Sequence, residues 1–426
     1  MRKWLLAVML MIIITGCGNT LEKNTEKGEI PFVENNEMEF QYFISKDHVY
    51  YAGVLIEGAD AGTFEILNNY YAKDKKHVYY DGEILEDSDP ASFKTLEQAY
   101  GRDKKSFYSG GIRIDDIDLN TLEILDGAYF KDKNSVYIFF QKLEGADPKS
   151  FELIPKSGYT KDKNHIYYQQ NIVSEADMAS FEVLGYALAR DKEHVYFAGS
   201  VTSAEPGTVQ ALSEEYYKDK DSVYYSFGKI NYADLSTFEI MKEGKKPAKY
   251  SKDKEHVYYG WEKTDADAKT FKMLGNGYYK DKNFVYYNNE KLDGIDAESF
   301  EVLGSGYFRD KNNVYFGKKK LNTADVKHFR VLGDYYATDG KAVYYKEKEI
   351  PGIDMGTYKI IDSKFVKDKN AVYLAGKKLD GIDAKTFGYV DMAKSKNLVR
   401  DKDHEYILQY YIPDFDQEEY RLVRVD

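Results

Sequence analysis

An all-β architecture of tandem β-meander repeats is predicted by three observations. The motif Lys-Asp-Lys-x-x-Val-Tyr-Tyr recurs along the chain in about thirteen copies, complete at Lys73–Tyr80 and Lys280–Tyr287. Its Val-Tyr-Tyr end is rich in the residues that favour strands. A second motif, Asp-x-x-Ser/Thr-Phe-Glu-x-Leu, falls between successive copies, as at Asp60–Leu67 and Asp296–Leu303. Repeats at a fixed period dominate fold reasoning, because each unit is too small to bury a core alone and must stack on its neighbours.

The first motif's Asp serves as a marker. Copies fall at Ser45 (a substitution), Asp74, Asp103, Asp132, Asp162, Asp191, Asp219, Asp253, Asp281, Asp310, Asp339, Asp368 and Asp401. Spacing is 28 to 30 residues, except for 34 between Asp219 and Asp253 and 33 between Asp368 and Asp401. The two long intervals mark insertions. The first contains Lys242–Pro247 and is where departure from repetition is expected, since loops added to one repeat often carry function.

Taken in chain order, residues 1–16 read as a signal peptide. Arg2 and Lys3 precede an apolar run from Trp4 to Ile14, too short for a comfortable membrane span. The closing Ile14-Thr15-Gly16-Cys17 resembles a bacterial lipobox, with Cys17 the only cysteine. That resemblance implies cleavage before Cys17 and lipidation of Cys17, hence an extracytoplasmic protein held to a bacterial membrane by lipid. Residues 17–38 are polar and read as a tether, 39–407 as the repeat array, and 408–426 as a capping hairpin.

Within a repeat, Lys-Asp-Lys-Asn/Lys is a tight turn, because Asp and Asn bond their own backbone. In the strand that follows, marker+4 and marker+6 share one face and marker+5 points to the other. Tyr80-Asp81-Gly82-Glu83 carries the Asp-Gly signature of a two-residue hairpin. A short strand comes next. Asp-x-x-Ser/Thr then predicts one capped helical turn that delivers Phe to the core, and Phe-Glu-x-Leu a further strand. Phe fills its slot in nine of twelve copies, with Leu122, Val209 and Tyr358 in the others.

The two motifs together resemble the DKNYY family of bacterial repeat proteins, from about Phe40 to Ile407. The resemblance implies a secreted or lipid-anchored repeat protein and no established enzyme chemistry.

The expected assembly is an open, curved, solenoid-like array. A closed propeller-like ring is the alternative, disfavoured because units of about 29 residues are small against ordinary blades and thirteen are many for one ring. Phe40–Ile44 would cap one end; Tyr406–Tyr411 and Tyr420–Val425 would cap the other as a hairpin.

The marker+5 residue is Tyr in every copy. The candidates are Tyr79, Tyr108, Tyr137, Tyr167, Tyr196, Tyr224, Tyr258, Tyr286, Tyr315, Tyr344 and Tyr373. They read as a ladder between neighbouring repeats, each hydroxyl bonded to a backbone group or an Asp. The competing reading is an aromatic face for sugar rings.

Composition narrows the function. With 60 Lys+Arg against 72 Asp+Glu, the net charge of −12 argues against nucleic acid as a partner. Six of seven histidines sit at marker+3, where other copies hold Ser, Phe, Asn or Ala, so they read as turn residues and no metal is expected. No nucleophile elbow, Walker lysine or dinucleotide fingerprint occurs, and neither a cofactor nor an enzyme activity is expected. The expected role is a lipid-anchored binding or scaffold module of the bacterial cell envelope, partnered by an envelope protein or cell-wall glycan. A glycan hydrolase using a carboxylate pair and a purely structural spacer are the alternatives.

Overall fold

In the computed structural model, the described residues are 42–97, 99–126, 128–390, 397–414 and 417–425. The expected signal peptide, Cys17 and tether lie outside them. Glu37–Asp426 forms one compact unit.

The described residues form thirteen small antiparallel sheets, the first of three strands and the other twelve of four. Strands follow chain order across each sheet, so every sheet is a meander. The second sheet is representative: Glu65–Ile66, Tyr71–Lys73, Val78–Tyr80 and Glu83–Ile84. Its middle strands are buried and its edge strands exposed.

The predicted turns and faces appear. The Asp74 N–H donates to the His77 carbonyl at 2.9 Å, closing the marker turn. Asp81 and Gly82 adopt φ of 49° and 80° while Tyr80 pairs with Glu83, as a two-residue hairpin requires. Asp60 caps the connecting segment, accepting from the Gly62 N–H and the Thr63 hydroxyl at 3.1 and 2.9 Å. That segment is a turn; among the described residues no helix forms, because a strand begins one residue after Phe, at Glu65 after Phe64 and at Lys94 after Phe93.

Sheets stack face to face. Tyr71, Val78 and Leu85 of the second sheet pack with Tyr108 of the third, and Phe93 from the connecting segment fills the space between them. The Phe93 ring lies 5.3 Å from Tyr71 and 5.8 Å from Tyr108, centroid to centroid. Offset and tilted pairs at these separations are favourable for aromatic quadrupoles.

The stack closes on itself, correcting the expected open array in favour of the ring. Phe43 and Tyr50 of the first sheet form a core cluster with Ile407 of the last. The join uses the same contact as the interior. A Cβ on Gly82 would lie 2.8 Å from Tyr51, and one on Gly111 2.5 Å from Tyr80, each the marker+6 ring of the preceding sheet. A Cβ on Gly53 would lie 3.2 Å from Ile407, the marker+6 residue of the thirteenth, and 2.7 Å from the Leu408 carbonyl. Gln409 Nε2 also donates to the Gly53 carbonyl at 3.1 Å. Narrow sheets explain the number: strands of two to four residues make thin wedges, so more of them fit around one ring.

Neither terminus is therefore a cap. Tyr42–Ser45 opens the first sheet, and Glu405–Asp414 with Gln417–Arg424 forms the third and fourth strands of the thirteenth.

Candidate interaction surface

The marker Asp is the centre of each repeat. Asp191 Oδ1 accepts the backbone N–H groups of Glu193 and His194 at 2.8 and 2.7 Å. Its Oδ2 accepts the Asp177 N–H at 2.9 Å and the Tyr196 hydroxyl at 2.7 Å. A backbone N–H from the preceding connecting segment bonds the marker in all twelve repeats with an Asp marker, at 2.7 to 3.2 Å; it comes from position −14 in nine of them and from Asp147, Asp234 and Asp383 in the three with longer spacing. Burial opposes the charge of Asp191, but three backbone N–H donors and Tyr196 outweigh it and hold the carboxyl down at about 2.

The second motif is locked to the first. The Ser180 hydroxyl donates to Asp177 and accepts the Lys192 N–H. Lys192 Nζ pairs with Asp177 at 3.1 Å, and the same marker+1 pair forms at Lys104–Asp89 and Lys311–Asp296.

All eleven candidate tyrosines are buried, none more than 9 % exposed. Their rings are enclosed between sheets and offer no face to a sugar. Hydroxyl bonds to the marker Asp form at Tyr79, Tyr108, Tyr167, Tyr196, Tyr224, Tyr258, Tyr286, Tyr344 and Tyr373. Tyr137 and Tyr315 occupy the same buried position. The rings pack between repeats as a ladder would, but these hydroxyls bond within their own repeat.

The hydroxyl that crosses between sheets belongs to marker−3. Tyr71 donates to the Ala99 carbonyl at 2.9 Å, Tyr159 to Ala187 at 2.8 Å and Tyr336 to Lys364 at 3.1 Å. Sequence reading missed this row because the position accepts Leu188, Phe365 and Leu398 as well as Tyr. The marker−1 cation reaches forward as well. Lys131 donates to the Pro148 carbonyl, Arg190 to Pro206 and Lys280 to Ala297.

A cleft of about 400 Å³ lies between the fifth and sixth sheets, lined by Leu153, Ile154, Pro155, Met178 and Phe181. The acid in its lining, Glu152, is neutralised by Lys161 at 2.9 Å. Asp81 is pushed up to about 6 by burial, and its partner is the Tyr51 hydroxyl at 2.5 Å. Among the described residues no three His, Cys, Asp or Glu side chains stand together as a metal site would need.

What the fold leaves free is the rim, formed by the fourth strands and the hairpins that lead into them. Marker+10 lies opposite marker+5 in register, as Ile84 opposite Tyr79 and Lys229 opposite Tyr224. Directly opposed residues share a face, so marker+10 forms one row around the ring. In the first six sheets that row reads Leu55, Ile84, Arg113, Lys142, Ile172 and Val201; in the next six it reads Lys229, Lys263, Lys291, Lys320, Glu349 and Lys378. The four apolar members are 40 to 43 % exposed.

Exposed aromatics sit where the two arcs meet. Phe227 and Trp261 stand 57 and 47 % exposed on the hairpins of the seventh and eighth sheets. A Cβ on Gly228 would lie 2.6 Å from Trp261, so the two hairpins touch. The 34-residue interval ends here: its insertion is an extended pair, Glu239–Glu243 with Lys246–Lys252, turning at Gly244 and Lys245. This is the departure the spacing anticipated, as a longer hairpin in place of a loop.

The family model described as the DKNYY family matches residues 42–171, 78–200, 198–262, 262–377 and 365–425. No curated protein and no solved structure matches the chain.

Proposed function

The chain belongs to the DKNYY family, and we propose that it is a lipid-anchored extracytoplasmic ring that binds or scaffolds other components of the bacterial cell envelope. One observation carries this reading. The recurrent side chains are spent inside the ring, on turns, caps and cross-links, while the exposed rim varies in blocks. A binding surface made this way needs no pocket; it needs a rigid frame on which loops and edges can differ. Charge favours the lipid over the protein surface as the attachment. Removing residues 1–16 takes away two basic residues and no acidic ones, leaving 58 against 72 and a net −14.

The test is capture of envelope proteins and isolated cell-wall glycan by residues 37–426. A saturable partner lost on Phe227→Ala with Trp261→Ala supports the reading and places its centre where the arcs meet. Absence of any partner from both fractions contradicts it. Release of the full chain from membranes by Cys17→Ser tests the anchor.

A further inference from the structure

We infer that the rim of the seventh to twelfth sheets is a binding track for a linear, phosphate-bearing polyanion. This deepens the envelope reading and rests on it only for the compartment.

The track is built from two rows. Marker+10 supplies Lys229, Lys263, Lys291, Lys320 and Lys378; marker+9, on the opposite face of the same strands, adds Lys319, Lys348 and Lys377. All eight are exposed. The same positions hold three acids, Glu262, Glu290 and Glu349, so the arc is net +5 on a chain of net −12. Among the described residues Lys229, Lys263, Lys320 and Lys378 make no ion pair, whereas Lys319 pairs with Glu347 at 2.8 Å. By contrast the marker+1 lysines are neutralised, as at Lys104–Asp89, Lys192–Asp177 and Lys311–Asp296.

Protecting sheet edges against edge-to-edge pairing is one reason to place lysine on an outer strand. That reason acts on every sheet alike. It fails for the first, second, fifth and sixth sheets, whose marker+10 residues are Leu55, Ile84, Ile172 and Val201. Enrichment of lysine at marker+10 of the seventh to twelfth sheets, five of six against Arg113 and Lys142 alone in the first six, fits a ligand that follows the arc.

Geometry and residue type define that ligand. The lysines come about one row per sheet, and packed sheets are about 10 Å apart. Spaced sheet by sheet along the rim, they would meet a small anion one or two at a time, whereas a chain with regularly spaced charges meets them all. Arginine is absent from marker+9 and marker+10 in these six sheets. Lysine holds phosphate as a point charge and, unlike an arginine fork, needs no fixed planar approach, which suits charges spaced along a flexible chain.

The experiment measures binding of fluorescently labelled linear polyphosphate to residues 37–426 across a salt series. Vesicles of phosphatidylglycerol, against phosphatidylcholine, test a lipid headgroup as the source of phosphate. The variant carries Lys229→Gln, Lys263→Gln, Lys320→Gln and Lys378→Gln. A charge-matched control carries Lys76→Gln, Lys105→Gln, Lys149→Gln and Lys156→Gln, all exposed and off the arc. The expected result is salt-sensitive polymer binding that the arc variant weakens by about tenfold or more, with the log–log salt slope reduced by about 3. The control should bind within about twofold of the unaltered protein.

No binding, or equal loss in variant and control, overturns the inference. Binding to phosphatidylglycerol vesicles without binding to free polymer overturns it in favour of a membrane surface. Parallel capture of envelope fractions by the arc variant separates the two proposals. A captured partner with no polyphosphate binding sinks the track alone; polyphosphate binding with no captured partner sinks the wider reading alone.

Discussion

The first six sheets and the next six are alike inside and different outside. Asp191, in the sixth sheet, and Asp281, in the ninth, hold the same four donors: two turn N–H groups, the −14 N–H and a tyrosine hydroxyl. On the rim the same two sheets carry Val201 and Lys291. A repeat under one folding constraint keeps what the stack requires and releases what it does not. The rim is where the two arcs have been free to diverge, and so where recognition is sought.

The largest expected effects lie inside and should not distinguish the arcs. Asp191→Ala and Asp281→Ala each remove a buried carboxylate from four donors, which should cost about 3–5 kcal/mol in either arc by urea melts. Val201→Ala and Lys320→Gln should leave the urea midpoint almost unmoved. A large difference between the two Asp variants would break the equivalence of the interiors.

Acid should likewise act on both arcs together. The marker carboxyls of Asp74, Asp162 and Asp191 in one arc, and of Asp253, Asp339 and Asp368 in the other, are held below their ordinary value. Burial works against the shift in each, and backbone N–H donors overcome it. With folded values depressed, the unfolded chain binds more protons. Stability is then present above about pH 4, the ordinary Asp value, and is lost as pH falls below it. In alkali the sign reverses. Burial pushes Tyr217 and Tyr344 up to about 12, so stability is lost as pH rises above about 10. Absorbance of ionised tyrosine should appear together with unfolding, and titration of these rings in a folded ring would contradict their enclosure.

The join between thirteenth and first sheets offers a sharper contrast. Gly53→Val and Gly82→Val meet the same steric situation, at φ of 79° and 80° with a neighbouring sheet under 3 Å from the new Cβ. Each should lower stability by about 2–3 kcal/mol. An open array would spare Gly53 the contact and leave about 1 kcal/mol for its φ alone.

Smallest is Asp81→Asn. The raised carboxyl is costly to charge as pH climbs from about 4 to its folded value of about 6, and Asn keeps the left-handed turn. A rise from about 4 to about 6 amounts to about 3 kcal/mol at most, and solvent screening of the half-buried carboxyl reduces it. The variant should therefore be more stable by about 1 kcal/mol at pH 7 and equal to the unaltered protein near pH 4.

Much of the fold was legible in residues. Val78 and Tyr80 on one face, the Asp81-Gly82 hairpin, the Asp60 cap and the delivery of Phe93 all followed from strand alternation and turn chemistry. The partner of the Tyr79 hydroxyl did not, because composition says that a hydroxyl is needed and not whether its acceptor lies in the same repeat. Ring closure was hidden for a different reason. It depends on wedge angle summed over thirteen sheets, and no single repeat records that angle. The rim division was present in the sequence from the start, at Leu55, Ile84, Lys291 and Lys320, but constant positions draw attention to the frame and away from the surface. The candidate tyrosines were therefore found for their constancy and proved internal, while the surface that varies went unread.

One distance comparison tests the closed ring that joins both arcs. Spin labels at Val54 in the first sheet and Lys377 in the twelfth, and at Val54 and Lys229 in the seventh, sit on exposed rim positions. Pulsed electron resonance should find the Val54–Lys377 distance shorter than the Val54–Lys229 distance, although it spans far more chain. The reverse order, with distance growing along the chain, would show an open array and contradict the ring.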